Sequence, residues 1–138
     1  MEDLVKFLGS PNGWVRDKVQ QMLLWGSSDT TRTLRAAASL AGLLDSDLPQ
    51  TRAQALWALA RLEAAKPDQV VRALADPHPG VRENALQIAE SFPDNKELLE
   101  AVVSRVADPD VKVKMQLAFS LGAWSQPQAG KALAKLLE

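Results

Sequence analysis

At 138 residues, with 46% hydrophobic and 24% charged side chains, the chain has the composition of a globular domain and not of a disordered segment. Its 16 Lys and Arg nearly balance 17 Asp and Glu, and eight basic residues fall in 1–66 and eight in 67–138, so the clustered positive charge that phosphate binding needs is not evident. The absence of cysteine excludes disulfides, thiolate metal sites and cysteine nucleophiles.

Apolar runs long enough to span a membrane are missing. The start carries Glu2 and Asp3 where a secretory signal carries positive charge, which predicts a soluble, cytoplasmic chain.

Taken in chain order, Leu4, Phe7 and Leu8 mark a first helix, here called an A helix. The turn Ser10–Gly13 follows, and a B helix is predicted over 13–26, with Val15, Val19, Met22, Leu23 and Gly26 on one stripe. Leu34, Ala37, Ala38, Ala41 and Leu44 mark the second A helix; the second B helix, 49–64, carries Thr51, Ala55, Ala58, Leu59 and Leu62. Val70, Val71 and Leu74 mark the third A helix, and Val81, Ala85, Ile88, Ala89 and Phe92 the B helix at 80–92. Leu98, Leu99, Val102, Val103 and Val106 precede the fourth B helix, 111–125, with Val113, Leu117, Ser120, Leu121 and Trp124. Leu133, Leu136 and Leu137 form a last A-type helix without a B partner.

Each B stripe occupies offsets 0, 4, 7, 8 and 11 from its first residue, one face of a helix turning about 100° per residue. Pro49, Pro67 and Pro79 stand near helix starts, where a missing N–H does no harm, and Asp110 is placed to cap the fourth B helix. One basic residue follows the first stripe position in every copy: Arg16, Arg52, Arg82 and Lys114, spaced by 36, 30 and 32 residues. A recurring unit of this length predicts stacked helical pairs that share one core. The small Ala55, Ala58, Ala85 and Ala89 are expected to let the helices of a pair approach closely.

The third copy, LADPHPGVRENALQIA from Leu74, resembles the HEAT repeat, especially the short bacterial type named after phycobilisome lyases. That resemblance implies an all-α, right-handed α-α superhelix of four helix pairs plus one terminal helix. The repeats then lie at about 1–27, 28–65, 66–93 and 94–125, with the terminal helix at 126–138, in a single domain over 1–138. It also implies a hydrogen-bonded ladder between an Asp column, Asp76 and Asp108, and the basic column Arg16, Arg52, Arg82 and Lys114. Ser10-Pro11 and Ser46-Asp47 depart from the Asp-Pro of the later copies. The segment Ser10–Leu24 is in addition similar to one in large bacterial proteins that join a propeller, a HEAT-like region and a c-type cytochrome, although this chain lacks the cysteines of a cytochrome motif.

Catalytic constellations are not apparent. His78 stands alone in a proline-rich turn and reads as a solvated turn residue; glycine-rich phosphate loops, nucleophile elbows and His-Glu metal motifs are missing. The expectation is therefore a non-enzymatic scaffold or spacer with no cofactor and no metal. It would engage a protein or peptide rather than a small molecule, nucleic acid or membrane.

Trp57 and Phe119 share offset six, beside Gln87 in the third copy, and Gln54, Asn84 and Gln116 form an amide row at offset three; together they are the candidate binding surface. The plainer use of these aromatics is to fill grooves between repeats. The alternative function is nucleic-acid binding of the DNA-repair glycosylase type, which requires basic residues gathered on the same surface. Trp14 and Trp25 flank the first B helix and are expected to cover an open core edge. Lys131, Lys135 and Glu138 would give the last helix a polar face.

Overall fold

The computed structural model describes residues 2–25 and 30–136. Gly26 of the first stripe, the boundary drawn at 27/28, Leu137 and Glu138 lie outside these. Among the described residues the chain is helical throughout, with no strand. The helices are α1 (Glu2–Val5), α2 (Gly13–Trp25), α3 (Thr30–Leu43), α4 (Pro49–Arg61), α5 (Pro67–Leu74), α6 (Pro79–Ala89), α7 (Lys96–Ser104), α8 (Val111–Ser120) and α9 (Pro127–Lys135). Short 3-10 turns extend α1 through Gly9, α7 through Ala107 and α8 through Ala123.

The chain divides into two compact units, Met1–Ala65 and Lys66–Glu138. In the first, α1 packs on α2 and α3, and α4 packs on α2 and α3. The second unit repeats the scheme: α5 packs on α6 and α7, α6 on α8, and α7 on α9. Within each unit A-type helices therefore form one layer and B-type helices another, each pair leaning on its neighbour in sequence. This is solenoid-like packing.

The punctuation follows from backbone chemistry. Pro49, Pro67, Pro79 and Pro127 each sit in the first turn of a helix. Asp110 caps α8, accepting from the N–H groups of Lys112 and Val113, and Asn95 caps α7 through Leu98. The solitary His78 is also a cap: its Nδ1 accepts from Gly80 N–H at 3.1 Å. A Cβ on Gly80 would lie 3.1 Å from the same imidazole, so the smallest residue occupies the position the ring leans over.

Three B helices end earlier than predicted, at Arg61, Ala89 and Ser120 instead of 64, 92 and 125. At the first of these ends, Ala64 N–H reaches back to Leu59 C=O and Glu63 N–H to Ala60 C=O, with Glu63 in the left-handed region at φ 53°. That hydrogen-bond pair closes a helix with an αL residue, a place glycine usually takes. After α8 the chain tightens into 3-10 geometry, which the apolar periodicity cannot announce because the same side chains stay buried.

The core matches the B stripes in copies two to four. Thr51, Ala55, Ala58, Leu59 and Leu62 are buried, as are Val81, Ala85, Ile88 and Ala89, and Val113, Leu117, Ser120, Leu121 and Trp124; Phe92 is half-buried. The four small alanines expected at close helix approaches are all inside. Leu56 and Leu86, at offset five, are fully buried as well. Each such leucine contributes about 1.5–3 kcal/mol of burial.

The third and fourth A-helix faces bury Val70, Leu74, Leu98, Leu99 and Val102 as expected, but the other three require correction. The second buries Ala36 and Leu40 while Leu34 and Ala38 are exposed, and α9 buries Ala129 and Ala132 while Leu133 is 38% exposed. In α1 and its 3-10 extension Val5 and Leu8 are inside and Phe7 is out. A short helix against a neighbour of its own kind buries whichever residues the crossing brings together.

Candidate interaction surface

The turns that launch the B helices are built alike. In all four the first polar residue accepts a hydrogen bond from the backbone two residues on: Ser10 Oγ from Asn12 at 3.2 Å, Ser46 Oγ from Leu48 at 3.3 Å, Asp76 Oδ1 from His78 at 2.8 Å and Asp108 Oδ1 from Asp110 at 3.0 Å. Serine thus performs for the first two turns the local task that aspartate performs for the others.

The arginine six residues further on folds back over its own turn. Nη1 of Arg16 donates to the carbonyls of Ser10 and Pro11, that of Arg52 to Ser46 and Asp47, and that of Arg82 to Asp76 and Pro77, at 2.7–3.3 Å. A planar guanidinium leaves its other edge free to reach the next turn. Arg82 uses that edge on Asp108, Nε to Oδ2 and Nη2 to Oδ1, both at 2.8 Å. In the first unit the corresponding reach ends on an amide instead, Arg16 Nε donating to Gln54 Oε1 at 2.8 Å. The fourth member, Lys114, is exposed.

Asp108 is buried, with Arg105 Nη1 3.7 Å from Oδ2. Burial pushes its carboxyl upward, but the Arg82 fork and the Asp110 N–H overcome this and hold it below the usual carboxylate range. The hydrogen bonds to Asp108 raise Arg82 in turn. These basic residues are hence structural ties to backbone and carboxylate.

The amide row has internal work too. Gln54 Nε2 donates to Asp17 Oδ1 at 3.1 Å, Asn84 Nδ2 to Gly80 C=O at 2.6 Å, and Gln87 Nε2 to Gln116 Oε1 at 3.1 Å. Gln116 Nε2 continues to Ser120 Oγ at 3.0 Å, and Ser120 donates to Glu90 Oε1 at 2.6 Å. The chain Gln87–Gln116–Ser120–Glu90 ties α6 to α8 and fixes the floor of the second unit's B layer.

Of the two aromatics at offset six, Trp57 is half-buried in the first unit, whereas Phe119 in the second is 71% exposed. Phe119 does not stand alone. Val111 (77% exposed) and Met115 (57%) precede it at four-residue steps on α8. Helix geometry sets the three in an arc of about 80°, roughly opposite the buried Val113, Leu117 and Ser120. The helix is therefore apolar on two sides, and only one faces the core. Val111 and Met115 escape a sequence reading that seeks a single stripe per helix; the signal was the second set of apolar residues at i, i+4 and i+8.

In the first unit, Trp14 and Trp25 are largely exposed on α2, and Lys18 Nζ lies 5.9 Å from the Trp14 ring centre, a cation–π approach. They do not cover core. Among the described residues no group of three His, Asp or Glu could hold a metal ion, and no helix is long and apolar enough to cross a membrane.

No protein family and no curated protein matches this sequence. The backbone is similar to the crystal structure of an engineered protein from the Northeast Structural Genomics Consortium, with a TM-score of 0.53 and 18% identity over 98% of this chain and 67% of that one. At that identity the likeness shows the fold alone.

Proposed function

We propose that the chain is a non-catalytic, HEAT-like, cytoplasmic scaffold that binds a protein or peptide through the B-helix surface, either alone or as a spacer within a longer protein. The carrying observation is the exposed apolar stripe Val111–Met115–Phe119, diametrically opposite the packed side of α8. Exposed large apolar side chains are common singly, but three in register on a helix anchored by a side-chain network form a preorganised contact. The HEAT-like assignment draws on the repeated turn-and-arginine unit, with its carbonyl clamp present at Arg16, Arg52 and Arg82.

A protein partner fits this surface better than nucleic acid does. The stripe itself is apolar, and the arginines Arg16, Arg52 and Arg82 that could have formed a basic surface are engaged by the carbonyls of their own turns. The test is binding of an isolated partner to the parent and to Phe119→Ala and Trp57→Ala. Phe119→Ala should weaken binding at least tenfold with helicity and melting temperature unchanged; equal binding by parent and Phe119→Ala would remove this surface from the account.

A further inference from the structure

The stripe on α8 lies in a part of the chain whose charge differs from the rest. Residues 111–136 contain Lys112, Lys114, Lys131 and Lys135 and no Asp or Glu, whereas residues 1–110 contain 12 Lys and Arg against 16 Asp and Glu. Lys112 and Lys114 are exposed on α8 itself, one on each side of the stripe, about 60° and 100° from its centre line. The Arg82–Asp108 fork and the clamps of the other arginines consume the cations of the earlier turns, but Lys114, at the same position in the last pair, is left in solvent.

Resting on the reading of α8 as a docking face, we infer that its partner is an acidic amphipathic helix. Apolar residues at three- and four-residue intervals would seat along Val111, Met115 and Phe119, and carboxylates along the helix edges would meet Lys112 and Lys114. The stripe covers eight residues of rise, about 12 Å, which accommodates two to three turns of a partner. The lysines of α9 add positive potential in the same unit without touching the stripe.

Two labelled synthetic helical peptides test this, identical in their leucine register and differing only in whether Glu or Lys flanks it. Fluorescence anisotropy with the full chain at low salt should show the Glu-flanked peptide binding roughly tenfold more tightly, since two exposed ion pairs are exchanged for two like-charge contacts. The gap should narrow at high salt. Lys112→Glu with Lys114→Glu should reverse the preference, and Phe119→Ser should abolish binding of both peptides, with circular dichroism unchanged because all three positions are exposed. Equal binding of the two peptides, lost in Phe119→Ser, would overturn the acidic partner and leave the docking face standing. Failure of both peptides, with binding only to a single-stranded oligonucleotide or to vesicles of phosphatidylserine and phosphatidylcholine in equal parts, would overturn both.

Discussion

Replacing Asp108 by alanine should destabilise the second unit by about 3–5 kcal/mol, the cost of leaving a buried guanidinium without its counter-ion. The structure explains the size. Arg82 and Asp108 are both buried and share two 2.8 Å hydrogen bonds, and the carboxylate also accepts from the Asp110 N–H that opens α8. A unit of this length has a total stability of roughly 4–11 kcal/mol, so the loss is a large fraction of it. Asp108→Asn keeps one oxygen for the Asp110 N–H and Arg82 Nη2 but removes the counter-charge and sets an amide donor against Arg82 Nε–H, so it should lose nearly as much. Trp124 is the single tryptophan in residues 66–138, so a parent with Trp14, Trp25 and Trp57 changed to Phe reports unfolding of this unit by fluorescence in urea. The pH dependence separates charge from shape. Because the folded carboxyl is held below its unfolded value near 3.9, its contribution is complete above that value and disappears as the pH falls through the lower folded one. The acid limb of stability below about pH 4 should accordingly flatten in Asp108→Asn. A cost under 1 kcal/mol for Asp108→Ala, or an acid limb identical in parent and Asp108→Asn, would refute the reasoning.

Glu63→Gly should stabilise the first unit by about 0.5–1 kcal/mol, since glycine relieves the left-handed strain at φ 53° but has more freedom to lose on folding; chemical denaturation would show it as a raised midpoint. His78→Ala should cost about 1 kcal/mol by uncapping α6, and His78→Asn should restore most of that; a loss shared by both variants would contradict the capping role. Val81→Asp should abolish the cooperative melt of the second unit, because a lone carboxylate would replace a fully packed side chain; melting near the parent temperature would show that the B-helix register is wrong.

What the sequence discloses is what repeats. The stripe from Thr51 to Leu62 and its counterparts from Val81 and Val113 are read correctly because four copies average out accidents of any one helix. Leu56 and Leu86 are missed because the same column holds Gln20 and Ala118 elsewhere, which hides an apolar position used by only two copies. Val15 is half-buried and Met22 exposed in the first copy although they sit on the stripe. The arginine clamp was foreseeable as a column but not as a geometry: that Gln54 answers Arg16 where Asp108 answers Arg82 depends on how far each side chain reaches. The amide row is visible as polar residues at one offset. That Gln116 of this row accepts from Gln87, which stands at a different offset, follows only from the distance between α6 and α8. Met115 and Val111 look like core by composition and are distinguished from it by which side of α8 meets α6.

Hydroxyl-radical footprinting of the isolated chain, repeated with the Glu-flanked peptide, tests the account most directly. Met115 and Phe119 should be modified rapidly in the free protein and protected on peptide addition, while Leu117 on the same helix stays slow throughout. Slow modification of Met115 and Phe119 in the free chain, or modification unchanged by saturating peptide, would contradict the assignment of α8 as a docking face.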